Sequence, residues 1–341
     1  MPLPADVSVL LPVWNGERFL AEAVESVLRQ THESLELIVI DDGSSDGSLA
    51  IAKEFAARDS RVVVIHTPHR GLPSALNAGT AVARGRYVAR MDADDVSLPT
   101  RLARQTEYLD ANIDVVAVGS AVEVIDENGD FLGHKTFATD HEQITAALLV
   151  GLTPFSHPAT MMRRTALLSI GGYAVDRYPS DDFDLWLRLS EIGKVANLDE
   201  PLVRYRRHAG AIGIRERDQQ LSMSQSIVNE ARARRSLTPL RRRLLSAGTN
   251  HAARYHFECA RFALLSGPRR AALRHARASI ASEPSWPEPY VALLACALPK
   301  WFLRRFVAYS AFARAVDMTP ARELANENGS DDSAKDTCSC T

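Results

Sequence analysis

The chain has 341 residues, of which 46% are hydrophobic and 24% are charged, and its formal net charge is −2 at pH 7. This composition is typical of a globular protein and excludes a disordered or fibrous chain, while the near-neutral charge argues against a nucleic-acid partner. The length is enough for one large domain and a smaller second region.

The N-terminal sequence and the cysteines bear on the compartment. The chain begins MPLPADVSVLLPVW, without a basic segment ahead of an apolar one, so no signal peptide is predicted. The 4 cysteines are too few and too irregularly spaced for a disulfide framework or a zinc site. The longest apolar run, Tyr290–Leu298, has about half of the roughly 20 residues that a membrane-spanning helix needs. We therefore expect a cytoplasmic protein.

The first 91 residues alternate short β-branched runs with amphipathic segments, a pattern that predicts strand–helix–strand units in a mainly parallel sheet. The predicted strands are Val7–Leu11, Glu36–Ile40, Val62–His66 and Arg86–Met91. The predicted helices between them are Gly16–Gln30, Ser45–Arg58 and Leu72–Arg84. In such a sheet, ligands bind at the carboxyl ends of the strands.

After residue 91 the pattern changes to mixed strands and helices. The predicted elements are a helix over Pro99–Asn112, a hairpin of Val115–Ile125 with Phe131–Phe137, helices over 139–150 and 181–192, and two short strands in Val195–Arg206. The last two strands are expected to be separated at Glu200-Pro201. Residues 1–212 are therefore predicted to form one α/β domain.

Residues 213–325 are predicted to be helical and are rich in alanine and arginine. Small residues between Ala253 and Pro284 have the spacing of one tetratricopeptide-type hairpin. Because a lone repeat cannot bury its own face, we predict instead a helical appendage that packs on the first domain. The polar, acidic tail 326–341 is predicted to be disordered.

Arginine is concentrated between Arg241 and Arg277, where Glu258 is the one acidic residue. This stretch and the predicted helix near Trp301–Arg314 have two interpretations. One is a surface that contacts an anionic membrane from one side, and the other is a basic face exposed to solvent. Peripheral membrane contact is therefore a hypothesis beside the simpler solvated face.

Candidate ligand-binding residues, most of them acidic, follow three of the predicted strands at the points where the strands end. They are Pro12, Val13 and Asn15 after the first strand, Asp41 and Asp42 after the second, and Asp92, Asp94 and Asp95 after the fourth. Carboxylates that share one sheet edge repel each other, so we expect a divalent cation, Mn²⁺ or Mg²⁺, held there together with a diphosphate. Alternatively, these aspartates only form turns and cap the helices that follow. Asp41 or Asp42 could also accept the imide N–H of uracil or thymine.

A second carboxylate pair, Asp181 and Asp182, begins an apolar helix that contains Trp186. One interpretation is N-capping of the helix by Ser180 or Asp181. The other is a general base, since burial of the helix would hold the carboxylates in place.

Five segments of the sequence together resemble the family 2 inverting glycosyltransferases. They are Leu11–Gly16, Val39–Asp46, Gly71–Gly79, Met91–Asp95 and Asp181–Trp186. The resemblance covers about residues 5–210. It implies the GT-A fold, a Rossmann-like mixed sheet flanked by helices, here followed by the α-helical C-terminal appendage.

The resemblance also implies a role for individual residues. The donor-binding residues would be Pro12, Val13, Asn15, Asp41, Asp42, Arg70, Gly71, Asn77, Asp92 and Arg206. The metal would be bound by Asp92, Asp94 and His208, with assistance from Asp95. Asp182 matches the catalytic base, and the acceptor side would carry His157, Asp181 and Trp186.

The sequence departs from the family pattern in two places, and each departure bears on the predicted function. The family usually has Glu-Asp where this chain has Asp181-Asp182, which leaves the role of Asp181 open. The Gln-x-x-Arg-Trp segment and the membrane helices of the processive synthases are missing from the sequence, which favours single additions over polymerisation.

We therefore predict a hexosyltransferase that moves a sugar, with inversion, from a nucleotide sugar to an acceptor hydroxyl. A UDP-sugar is the expected donor, and a saccharide or lipid-linked acceptor in cell-surface glycan synthesis is the expected partner. The alternatives are a sugar nucleotidyltransferase and an adaptor with a degenerate transferase domain.

Overall fold

The computed structural model describes residues 5–240 and 250–298 of the chain. Its strands are β1 (Val7–Val13), β2 (Leu35–Asp41), β3 (Val62–His66), β4 (Tyr87–Arg90), β5 (Val96–Ser97), β6 (Val115–Ile125), β7 (Phe131–Lys135), β8 (Met161–Arg163) and β9 (Lys194–Arg206). Its helices are α1 (Glu17–Leu28), α2 (Ser48–Arg58), α3 (Leu72–Val82), α4 (Arg101–Ala111), α5 (His141–Leu149), α6 (Arg164–Ser169), α7 (Asp181–Ile192), α8 (Ile212–Arg215), α9 (Arg217–Arg234), α10 (His251–Ser266), α11 (Arg269–Ser282) and α12 (Glu288–Ala295).

The strands form one mixed sheet in the order β3-β2-β1-β4-β8-β6-β9-β5, and β7 pairs with β6. The strands from β1 to β4 are parallel, as predicted. After β1 the chain adds strands on one side, through β2 and β3, and then returns to the other side with β4. The gap between the ends of β1 and β4 is therefore a topological switch point, where open α/β sheets bind ligands.

The sheet has a hydrophobic core on each face, because successive strand residues point to opposite sides. Leu10 and Ile38 pack with α3, α5, α7 and α9 on one face. Val9 and Leu37 pack with α1, α2 and α4 on the other. This two-sided burial explains why β1 and β2 are apolar along almost their whole length.

The predicted four-strand pattern, the helices between the strands and the β6–β7 hairpin are confirmed, with ends that differ by a few residues. The prediction of two strands in 195–206 is wrong. β9 is continuous, and its pairing with β6 moves from Leu198 to Pro201 with Asp199 and Glu200 left over as a bulge. A bulge absorbs the proline without ending the strand.

The helices after residue 212 pack against the sheet domain, and Met1–Ala297 form one compact unit. A Cβ on Gly267, at the end of α10, would lie 1.6 Å from the backbone oxygen of Leu132 in β7. The predicted boundary after residue 212 thus marks a change from sheet to helices within one unit. The predicted tail 326–341, the helix near Trp301–Arg314 and residues 241–249 lie outside the described residues. Among the described helices, none combines the length and the hydropathy that a membrane span requires.

Candidate functional site

The loops after β1 and β2 are locked together at the switch point. Asn15 adopts a positive φ of 52°, its N–H donates to Ser44 Oγ at 3.0 Å, and its Oδ1 accepts from Ser45 N at 2.8 Å. Pro12 and Val13, the preceding residues predicted to bind donor, have buried side chains inside β1. Asn15 therefore shapes the loops at the sheet edge, while Pro12 and Val13 belong to the sheet.

Asp41 and Asp42 perform different tasks at the end of β2. The carboxylate of Asp42 accepts hydrogen bonds from the backbone N–H groups of Arg70 and Gly71, at 2.9 and 2.8 Å. It therefore fixes the loop before α3, in which Gly71 has a φ of +87°. Asp41 pairs through Oδ2 with His66 Nδ1 at 2.7 Å, while its Oδ1 is buried and has no partner among the described residues. Asp41 thus keeps a free acceptor.

An exposed aromatic stack lies beside these aspartates. Trp14, which is 47% exposed, stacks on His69 with the ring centres 4.4 Å apart and the planes 19° apart. The His69 ring nitrogen lies 3.0 Å from the backbone oxygen of Asp42. His66 and His69 were not predicted as site residues because β3 ends without a carboxylate. Their position at a strand end is the signal that would have identified them.

Three carboxylates converge after β4. One oxygen from each of Asp92, Asp94 and Asp95 lies within 4.8 Å of the others. Oδ2 of Asp95 is buried without a partner among the described residues. His208 Nε2 lies 2.7 Å from Asp94 Oδ2, although the two residues are far apart in sequence. The structure thus brings the predicted metal ligands together.

The electrostatics of this cluster favour a bound cation. Burial, followed by the charges of Asp94 and Asp92, raises the pKa of Asp95 well above its ordinary value. Burial also raises the pKa of Asp92, in spite of the opposing effect of Arg90. Carboxyl groups that share a buried site resist ionisation together. Hard oxygen ligands of this kind fit a divalent cation such as Mg²⁺ or Mn²⁺.

Arg206 and Asn77, both predicted to bind the donor, have side chains that bond to protein groups. Arg206 donates from Nε to the backbone oxygen of Asp94 at 2.8 Å, and its guanidinium also pairs with Glu22. Asn77 bonds through both side-chain polar atoms to the backbone of Tyr173. In this structure the two side chains hold loops of the site in place.

Arg90 is a buried cation in the middle of the site that the sequence analysis did not identify. It forms an ion pair with Asp92, and its positive charge also acts on Asp181 and Asp182. A charged residue at the end of an otherwise apolar strand was the available signal. Arg90 therefore joins the carboxylate cluster electrostatically to the start of α7.

Asp181 and Asp182 begin α7. Oδ1 of Asp182 accepts the backbone N–H of Phe183 at 2.8 Å, whereas the predicted cap Ser180 bonds to Gln220 O and Ser224 Oγ and does not cap the helix. Asp181 is only 3% exposed, and its Oδ2 has no partner among the described residues. Burial, then the charge of Asp182, raises the pKa of Asp181 to about 7. Burial also raises the pKa of Asp182.

On the predicted acceptor side, His157 and Trp186 pack against each other edge to face, with ring centres 5.7 Å apart. Trp186 is 0% exposed and packs in the core beside His157, so its predicted place on the acceptor side stays a prediction. His157 Nε2 is 3.1 Å from the hydroxyl of Tyr173. Burial, then Arg90, lowers the pKa of His157 well below its ordinary value, so His157 is neutral.

Solved structures of low sequence identity share this fold. The structure of S. aureus TarS residues 1–349 in complex with UDP-GlcNAc has a TM-score of 0.53 at 14% identity, over 88% of this chain and 92% of that one. The mannosyltransferase PcManGT from Pyrobaculum calidifontis, in complex with GDP-Man and Mn²⁺, has a TM-score of 0.50 at 19% identity, over 95% and 84%. They support a GT-A type of fold.

Sequence relatives give the family. The model of glycosyl transferase family 2 matches residues 8–171, which include the carboxylates after β2 and β4. The Bacillus subtilis protein described as glycosyltransferase EpsE is 36% identical over 239 residues, 69% of this chain and 84% of that protein. The O-antigen biosynthesis glycosyltransferase WbnJ of Escherichia coli is 34% identical over 59% of this chain and 80% of that protein. This chain belongs to glycosyltransferase family 2.

Proposed function

We propose that this glycosyltransferase moves a sugar from a nucleoside-diphosphate sugar to an acceptor hydroxyl with inversion at the anomeric carbon. The observation that carries the proposal is the cluster of Asp92, Asp94 and Asp95 at the switch point. Carboxylates crowded into one buried cluster repel each other, and a divalent cation would relieve this repulsion. A cation at this edge of the sheet would be placed to bind a diphosphate.

The side chains at the end of β2 support the proposal that the donor carries a pyrimidine nucleotide. Oδ1 of Asp41 is a buried acceptor without a partner in the described part of the chain, and the imide N–H of uracil is a donor that would satisfy it. The exposed face of Trp14 lies at the same edge. We therefore expect a UDP-sugar as donor, and GDP should compete less well than UDP.

The chemistry that follows from these side chains is one in-line displacement. Asp182 accepts the proton of the acceptor hydroxyl while that oxygen bonds to the anomeric carbon and the bond to the nucleoside diphosphate breaks on the opposite face. The pKa of the buried partner Asp181, about 7, means that a large fraction of this carboxyl group is protonated at neutral pH. A protonated Asp181 leaves Asp182 free to carry the negative charge of the pair.

The leaving group departs on the side of the carboxylate cluster. Asp92, Asp94 and His208 would hold a divalent cation, whose Lewis acidity offsets the charge that develops on the diphosphate. Arg206 holds the backbone of Asp94 and thereby fixes this side of the site. The positive charge of Arg90 acts both on Asp92 in the carboxylate cluster and on the Asp181-Asp182 pair.

The acceptor is proposed from the relatives rather than from the site. WbnJ is described as an enzyme of O-antigen biosynthesis and the Erwinia amylovora protein AmsE as one of amylovoran biosynthesis. We propose a saccharide or lipid-linked acceptor of a cell-surface glycan. A cytoplasmic location with peripheral membrane contact stays a prediction.

A thermal-shift panel tests the donor. UDP-GlcNAc, UDP-Gal, UDP-Glc, GDP-Man and dTDP-Glc are each added with Mn²⁺ or with EDTA, and one nucleotide sugar is expected to raise the Tm only with Mn²⁺. With that donor, Asp182→Asn should keep the shift and lose sugar transfer, while Asp176→Asn, at an exposed position, serves as the matched control. Near-normal turnover by Asp182→Asn, or no metal-dependent shift with any donor, would contradict the proposal.

A further inference from the structure

A buried carboxylate in the helical region lies among three arginines. Glu258 of α10 is 8% exposed. Its oxygens lie 2.5 Å from Arg261 on the same helix, 3.6 Å from Arg217 at the start of α9 and 3.7 Å from Arg207 just after β9. Arg207 also lies over the ring of Phe262 in α10, at 5.7 Å. Three arginines from different places in the sequence therefore meet at one carboxylate.

The charge balance indicates that Glu258 is ionised. Burial alone would raise its pKa, but Arg261, Arg207 and Arg217 outweigh burial and hold the pKa of Glu258 below its ordinary value. Removing one partner from a buried ionic group leaves the remaining charges unpaired, which is costly. Without the Glu258 charge, three guanidinium groups would repel each other within this cluster.

The two arginines from outside α10 lie at the two ends of one segment. Residues 207–217 begin at Arg207 and end at Arg217, and we call them the closing segment. This segment contains His208, whose Nε2 lies 2.7 Å from Asp94 Oδ2. Both ends of the piece of chain that brings His208 to the carboxylate cluster thus form ion pairs with Glu258.

α10 is itself anchored to the sheet by contacts that do not involve the closing segment. Gly267 lies against the backbone of Leu132 in β7. The hydroxyl of Tyr255 accepts the backbone N–H of Glu127 at 3.3 Å. Arg274 of α11 pairs with the buried Asp126, just after β6, at 2.5 Å. The helices therefore offer Glu258 a fixed position relative to the sheet.

We propose that Glu258 is a positioning residue that clamps the closing segment and so holds His208 beside Asp94 for metal and donor binding. The helical region would then act directly on the donor site. The inference rests on the proposed function, because it assigns a purpose to the position of His208. Mutations of groups that position metal ligands cost about 10–100-fold in metal affinity, and a loss of that size is expected when Glu258 is neutralised.

The test compares Glu258→Gln with Asp130→Asn in the full chain. Both variants remove a negative charge that pairs with an arginine of the helical region, but Asp130 is exposed and, among the described residues, pairs with Arg274 and not with the closing segment. Mn²⁺ affinity in the presence of UDP is measured by calorimetry. Glu258→Gln should weaken it about 10–100-fold, with donor KM raised more than kcat is lowered, and Asp130→Asn should leave it unchanged.

A ligand-free measurement separates the clamp from the proposed function. Trypsin cleaves after Arg207, Arg215 and Arg217, and mass spectrometry identifies these cuts. Glu258→Gln should be cleaved there faster than the wild type, and Asp130→Asn should not. Arg217→Gln removes a partly exposed partner of Glu258 and also the trypsin site at 217, so its readout is the cleavage after Arg207 and Arg215. This cleavage is expected to be faster than in the wild type but slower than in Glu258→Gln, and the variant covers the case in which Glu258→Gln does not fold.

The possible outcomes distinguish the two hypotheses. If Glu258→Gln and Arg217→Gln bind Mn²⁺ with UDP like the wild type and are no more sensitive to trypsin in the closing segment, the clamp is refuted. If the wild type binds neither UDP nor Mn²⁺, the proposed function is refuted, and an unchanged trypsin pattern in the variants would refute the clamp separately.

Discussion

Asp181 and Asp182 are neighbouring carboxyl groups for which the structure predicts opposite consequences of the same mutation. Asparagine has the shape and the neutral charge of a protonated aspartic acid, the form that Asp181 takes below its pKa of about 7. Asp181→Asn is therefore expected to keep transfer within a few-fold of the wild type at pH 7. Asp182→Asn removes the general base, which should cost about 10²–10⁴-fold in kcat, or roughly 3–5 kcal/mol of transition-state stabilisation.

The raised pKa of Asp181 also predicts the direction in which stability changes with pH. The unfolded carboxyl titrates near the ordinary value of 3.8 and the folded one at about 7. Between these values the folded state binds more protons than the unfolded state, so the free energy of unfolding falls as the pH rises. At about 1.4 kcal/mol per pKa unit, this shift corresponds to at most roughly 4 kcal/mol. Asp181→Asn should remove most of that decline.

The measurement is urea unfolding between pH 4.5 and pH 8 for the wild type, Asp181→Asn and the exposed control Asp176→Asn. The control should follow the wild type, and Asp181→Asn should lose less stability across the range. Transfer assays at the same pH values complete the comparison. The reasoning is refuted if Asp181→Asn is as inactive as Asp182→Asn and its stability runs parallel to that of the wild type.

Three further predictions concern the metal cluster and the helical region. Asp94→Asn removes a predicted metal ligand. The increase in Tm produced by UDP with Mn²⁺ should therefore be lost at low Mn²⁺ concentration and partly restored at high Mn²⁺ concentration. An unchanged Mn²⁺ requirement would exclude Asp94 as a ligand. Gly267→Ala places a Cβ 1.6 Å from a backbone oxygen of β7, so the free energy of unfolding measured in urea should fall by at least about 1–3 kcal/mol. Gly213→Ala, with open space around the added Cβ, should change this free energy little. Burial, then neighbouring positive groups, lowers the pKa of His275 below its ordinary value of 6.5. The unfolded chain therefore binds more protons than the folded chain at acid pH. The stability that is present above about pH 6.5 should be lost as the pH falls. Thermal melts of His275→Gln should show a weaker acid dependence, and equal dependence in both proteins would contradict this assignment.

The sequence by itself determined the parallel half of the fold and the place of the acidic residues. Short buried strands such as β1 and β2 are apolar because helices cover both of their faces, and this pattern is local in sequence. Residues that follow such strands lie at one sheet edge, so the positions of Asp41, Asp92 and Asp94 followed without coordinates. Asp181 and Asp182 were found by a different local signal, the start of a periodic apolar helix.

Short or irregular elements were not predictable in this way. β8 has three residues, too few for a periodic pattern, and yet it lies between β4 and β6 in the sheet. The bulge in β9 arises because pairing with β6 on both sides of Pro201 stabilises one continuous strand. Pairing with a distant strand decided these elements, and local propensity did not.

Tertiary structure alone decided how the side chains divide their tasks. Asp41 and Asp42 are adjacent in sequence, but Asp41 has a buried oxygen that no described residue contacts by a hydrogen bond, and Asp42 fixes the loop of Arg70. Trp186 follows Asp181 and Asp182 in the same motif, but the structure buries it in the core with the apolar face of α7. Hydrogen bonds, burial and ion pairs such as those of Glu258 join residues far apart in the chain, so their energies depend on distances in space that no local sequence pattern contains.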